Sequence, residues 1–214
     1  KIAAKQGKHK EAVLRLTRAG KVKPIEVDTW LSLAQSYVSL NQLPKATKAL
    51  TRGLKQNNDA AELYLLAGEI ELKRERYPAA NSMLARAVEF NPNSLASQQL
   101  YAQGLFATRN FRSAAIHADL AAQISPQNID VLTLQASVAN KQGKTGSAIE
   151  FLKTAINLDP ASAELQYQIG RVYQDANLFD ASREHLEKSA SINPLLFLYL
   201  TVNLSPLPKT HSIS

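Results

Sequence analysis

The chain has 214 residues, 45% of them apolar and 20% charged, enough to bury a continuous, elongated core without a globular one. It has no cysteine, which excludes disulfides, thiolate chemistry and Cys-based metal sites, and no apolar run reaches the ~18 residues of a membrane-spanning helix. The net charge of +7 lies in residues 1–23, where eight basic residues stand against one acid, so the rest of the chain is neutral.

One register runs along the sequence. Pro92, Pro126, Pro160 and Pro194 stand 34 residues apart, and the same step backwards reaches Asn58 and Pro24. A fixed period of this size marks stacked copies of one helix–turn–helix unit. With those residues at register position 32, residues 1–26 supply the second half of a truncated copy, with Gly7, Ala12, Leu16, Ala19 and Pro24 in register. Because Lys1 falls mid-repeat and no signal-peptide pattern opens the chain, the sequence reads as a piece of a longer protein.

Five full copies are expected next, at 27–60, 61–94, 95–128, 129–162 and 163–196. The first carries Trp30, Leu33, Ala34 and Tyr37, then Ala46, Leu50 and Gly53; the second Tyr64, Gly68, Tyr77, Ala80, Leu84 and Ala87. Ala102, Phe111, Ala114 and Ala121 mark the third, and Leu132, Ala136, Ala148, Leu152 and Ala155 the fourth. The fifth has Ile169, Gly170, Tyr173, Phe179 and Leu186, with Ser182 and Ser189 where Ala is expected. In 61–94 the first helix is expected over about Ala61–Arg74 and the second over about Pro78–Phe90, since Pro suits a first helical turn. Asn91-Pro92-Asn93-Ser94 ends one helix and offers an N-cap for the next. Past Pro194, Pro206 and Pro208 would fall inside a further first helix, so 195–214 reads as a short apolar helix and tail.

The pattern Trp-x2-Leu-small-x2-Tyr followed by Ala-x3-large resembles the tetratricopeptide repeat (TPR), in a bacterial-type array. The resemblance implies an all-α fold, an α-solenoid of antiparallel helix pairs stacked into a right-handed superhelix with a concave groove. It also implies that first-helix positions 2, 5, 9 and 12 line that groove. In the front half these include Leu31, Gln35, Glu62, Leu65, Glu69, Leu72, Gln99, Gln103 and Phe106. In the back half they include Tyr167, Arg171 and Gln174. The front is apolar with acidic edges and suits an amphipathic helix or extended peptide carrying Lys or Arg; the back is amide-rich. Family members that grip chaperone C-termini use a Lys and Asn clamp at positions 5 and 9. Here Leu31/Gln35 and Leu65/Glu69 stand there, which disfavours that role.

Other candidate chemistry fails on spacing. His117 and His185 share position 23 two copies apart, and helix packing separates them by roughly 20 Å or more, too far to share a metal. Gly143-Lys144-Thr145 lacks the Gly that a phosphate loop needs five residues earlier, where Val138 stands in an expected helix. Asp28, Glu62, Asp130 and Glu164 recur at position 2, where a carboxylate favours a helix N-terminus. No catalytic set, metal site or cofactor motif is visible. Residues 1–23 read as a solvated flank or as a contact for an anion, such as membrane headgroups or an acidic neighbouring repeat. No basic stripe with interleaved aromatics continues along the copies, so nucleic acid is disfavoured.

The expected function is a non-enzymatic scaffold that binds a peptide or partner protein, in envelope, secretion or exopolysaccharide assembly. The alternative is the TPR arm of a glycosyl- or sulfotransferase-type enzyme whose catalytic domain lies elsewhere. The compartment, periplasm or cytoplasm, is left open by the sequence.

Overall fold

The computed structural model describes residues 26–195, together with Glu11, Val13, Leu14 and Leu198. The basic stretch at 1–23 and the apolar tail therefore lie almost wholly outside the described residues. Ten α-helices and no strand are found among those described. They divide between Ile124 and Ser125 into two compact units.

The first unit holds α1 (Val27–Ser39), α2 (Leu43–Gln56), α3 (Ala61–Lys73), α4 (Tyr77–Phe90), α5 (Leu95–Ala107) and α6 (Phe111–Ile124). The second holds α7 (Ile129–Lys141), α8 (Thr145–Leu158), α9 (Ala163–Asp175) and α10 (Phe179–Ile192). Within each unit consecutive helices pack on one another.

The ends of these helices follow from side-chain chemistry. Ser94, Asn128 and Ser162 cap α5, α7 and α9 by accepting a bond from the backbone N–H three residues on. Pro44 and Pro78 sit in the first turns of α2 and α4. Every first helix stops in one way, with register position 15 in the left-handed region: Asn41 (φ 54°), Glu75 (57°), Arg109 (59°), Gly143 (74°) and Asn177 (61°). The next N–H then reaches back to the carbonyl five residues earlier, as in Gln42 to Tyr37 at 2.8 Å and Arg76 to Glu71 at 2.9 Å. Gly143, which resembled part of a phosphate loop, is one of these five turns.

Helices approach closely where the register places small residues. Ala34, Ala46, Ala80, Ala87, Ala102, Ala114, Ala148 and Ala155 are at most 1% exposed. A side chain at Gly68 would meet Leu84 Cγ at 2.5 Å, and one at Gly170 would meet Leu186 Cδ2 at 2.9 Å. Burying each such leucine contributes roughly 1.5–3 kcal/mol. Trp30, Leu33, Leu50, Leu63 and Ile70 form the core of the first unit, with the Trp30 indole N–H donating to Gln56 Oε1 at 3.1 Å. Leu132, Leu152, Leu165 and Ile169 do the same in the second. The two serines that replace alanine in α10 differ. Ser189 donates to the Ala163 carbonyl at 2.7 Å, while the buried Ser182 hydroxyl has no partner.

Candidate protein-interaction surface

An α-helix turns 100° per residue, so α3 shows two opposed faces. Leu63, Ala67 and Ile70 are buried in the core, while Glu62 is exposed and Leu65, Glu69 and Leu72 are half-buried. α1 and α5 lie against α3, which makes the three first helices of this unit one surface. α1 adds exposed Gln35 and half-buried Leu31, and Leu31 also packs against the core cluster. α5 adds Gln99, Gln103 and Phe106, all half-buried; the Phe106 ring tilts against Phe111 with centroids 5.5 Å apart. Glu69 pairs with Lys73 at 2.8 Å, both side chains being well solvated. An exposed pair of this kind contributes little and exchanges readily for a ligand's cation.

The second unit is built differently. Tyr167 is only 5% exposed, so it belongs to the packing of α9 more than to an open surface. Burial pushes its hydroxyl pKa up, against the opposing field of Arg171. Arg171 donates to Gln174 Oε1 at 2.9 Å, and Asn140 on α7 donates to Asp175 Oδ2 on α9 at 2.9 Å. Side-chain hydrogen bonds thus tie α7 to α9 and hold Arg171 along α9.

Sequence reasoning passed over one arrangement that occurs twice. His117 Nδ1 lies 2.7 Å from Gln98 Oε1, and His185 Nδ1 lies 2.7 Å from Gln166 Oε1. Both glutamines are buried, and Gln98 Nε2 donates onward to the Pro92 carbonyl at 2.7 Å. A signal existed: Gln replaces the large apolar residue of position 4 in the two copies that carry His at position 23. Among the described residues no group of three or more His, Asp or Glu is placed to hold a metal ion. None of their helices is long and apolar enough to cross a membrane.

Family models for the tetratricopeptide repeat match residues 3–70 and 163–194, and one for the TPR repeat matches 137–177. The chain belongs to the tetratricopeptide repeat family. No curated protein sequence matches it. Among solved structures it is similar to YrrB, described as a TPR protein with an unusual peptide-binding site. The TM-score is 0.75 at 20% identity, over 88% of this chain and 97% of that one. MamA from Desulfovibrio magneticus RS-1 gives 0.73 at 14% identity, over 78% of this chain and 94% of that one. PilF of Pseudomonas aeruginosa gives 0.66 at 14% identity, over 78% and 76%. These likenesses establish an all-α solenoid of TPR helix pairs. TPR arrays are generally non-catalytic modules for protein interaction, and this one has the scaffold of that class.

Proposed function

We propose that this TPR protein is a non-enzymatic scaffold that binds a peptide or partner protein along the first-helix face of its first unit. Leu31, Leu65, Leu72 and Phe106 supply apolar area, Glu62 and Glu69 select basic flanks, and Gln35, Gln99 and Gln103 meet the ligand backbone. The observation that carries the reading is α3, where Leu65 and Leu72 stay partly open although the core beside them is filled by Leu63 and Ile70. Open apolar surface gives up roughly 25 cal/mol per Å² that a partner would recover. YrrB, an array of the same fold, is described as having a peptide-binding site. In the second unit, considered by itself, Arg171 and Gln174 are assigned to polar contacts with a peptide, and Tyr167 to holding α9 in place.

The test changes Leu65 and Phe106 together to Ser and measures melting temperature and capture of partners from lysate. Unchanged melting with lost capture is expected. Lost melting with unchanged capture would make both residues core and remove the assignment. The cellular setting we propose is assembly of bacterial envelope, secretion or exopolysaccharide machinery, supported by the bacterial arrays among its structural neighbours. Cell fractionation that finds the full-length protein only in the cytosol, apart from any envelope complex, would rule it out.

A further inference from the structure

The opposite side of α3 carries a second feature. A cavity of about 420 Å³ opens between α2 and α4 with α3 as its floor, walled by Leu50, Leu54, Ala67, Ala79 and Met83. Its origin is a local departure from the register. Positions 7, 11 and 23 hold Leu33, Tyr37 and Ala49 in the first copy, and Tyr101, Leu105 and His117 in the third. The fourth has Gln135, Ala139 and Phe151 there, and the fifth Ile169, Tyr173 and His185. Each of these sets contains a ring. In two of them ring meets ring, Tyr101 with His117 at 4.5 Å between centroids and Tyr173 with His185 at 5.5 Å. In 61–94 the same positions hold Ala67, Glu71 and Met83, with no ring among them. One aromatic, Tyr64 at position 4, lines the cavity, and it is held to the wall by stacking on Phe90 at 5.8 Å with its hydroxyl donating to the Asn58 carbonyl.

The cavity is open to solvent on one side, with exposed Thr51, Lys55 and Ala79 at its rim, so a partner's side chain can enter it. The charges beside it indicate what fits. Glu71 is already held by Arg74 at 3.1 Å and Arg76 at 3.7 Å, so it demands no further cation. Lys55 at the cavity is exposed, and no carboxylate among the described residues pairs with it. We infer that the cavity is a docking socket for an aromatic side chain of a partner polypeptide with a carboxylate on an adjacent residue. The ring takes the space that aromatic side chains of this protein take in the other copies, and the carboxylate meets Lys55. The socket faces away from the surface of Glu62, Leu65, Glu69 and Leu72, about 150° around α3, and prefers the opposite flanking charge.

Met83 is the only methionine and lines the cavity, so its ε-methyl NMR signal is a single, unambiguous reporter there. The full chain is titrated with the blocked peptide acetyl-Gly-Asp-Trp-Asp-Gly-amide. A saturable shift of the Met83 methyl is expected. Replacing Trp by Leu in the peptide should weaken binding about fivefold or more. Lys55→Glu should weaken it about two- to fivefold, the effect of one exposed ion pair. Ala67→Ile, which installs the residue that Ile169 represents in the fifth copy, should abolish the shift. Ala79→Leu, at a solvent-exposed site, should do the same should Ala67→Ile fail to fold. Leu65→Ser with Phe106→Ser should leave it intact, which separates this socket from the opposite face. Absence of a saturable Met83 shift, equal binding of the Leu peptide, or binding retained in Ala79→Leu would overturn the proposal. Free indole binding as tightly as the peptide would also overturn it, by making the occupant a small molecule.

Discussion

His185 donates its Nδ1 proton to Gln166 across 19 residues, and the ring stacks on Tyr173 with planes 15° apart. His117 makes the same bond to Gln98 at the same spacing. Half-burial takes water from each imidazole and disfavours its charged form, which lowers the pKa of both histidines. Around His185 the positive charges of Lys188 and Lys153 add to the lowering, and Glu184 opposes it.

The sign of the resulting pH dependence is fixed. Below the ordinary imidazole value of 6.5, the unfolded chain binds protons that the folded chain resists. Stability should therefore be full above about pH 7 and fall as pH drops from there through the lowered folded values. Carboxylates titrate lower, and the double variant His117→Gln with His185→Gln isolates the histidines. Its melting temperature should vary less between about pH 7 and 5.5 than that of the parent. Parallel curves would show that the two rings titrate normally.

The side chain of Asn81 on α4 lies against the backbone of Gly104 on α5, donating from Nδ2 to the Gly104 carbonyl and to Thr108 Oγ1, each at 3.2 Å. A Cβ at residue 104 would run into Asn81 Oδ1, which is buried and has no hydrogen-bond partner. Gly104→Ala should thus cost ~1–3 kcal/mol by overpacking, although alanine is the better helix former. Denaturant unfolding of the first unit measures this. A stability gain near 1 kcal/mol, as at an open helical glycine, would show that Asn81 yields.

How far the sequence was legible depended on which residues form the framework. The 34-residue proline register, the small residues at Gly68, Ala80 and Gly170 and the cap at Ser94 follow from backbone geometry, which admits few residue types. They reveal the helix pairs and the family directly. The side chains of the candidate surface are a different matter. Tyr167 occupies the same register position as Leu65, yet it is buried where Leu65 is half-open, because neighbouring helices decide how far a side chain stands clear. The cavity at Ala67 and the Gln–His bonds are properties of several positions at once. Reading each residue alone against the motif cannot show them.

Glu75 is strained by its place in the register. It stands exposed at φ 57°, where Gly143 fills the equivalent turn without penalty. Glu75→Gly should raise stability by about 0.5–1 kcal/mol, because the left-handed cost exceeds the entropy that glycine adds to the unfolded chain. Gly143→Ala should lose a comparable amount. Chemical denaturation of both variants checks the pair, and a loss in Glu75→Gly would mean the turn tolerates a side chain freely.

The central claim is that the first-helix face of the first unit binds an amphipathic, basic-flanked segment. Amide chemical-shift mapping on the full chain tests it most directly, with a blocked peptide carrying Leu at one helical face and Lys at its ends. The expected result is saturable perturbation at Glu62, Leu65, Glu69, Leu72, Gln103 and Phe106, lost in Leu65→Ser with Phe106→Ser at unchanged melting temperature. Perturbation confined to α2 and α4, or none at all, would contradict the account.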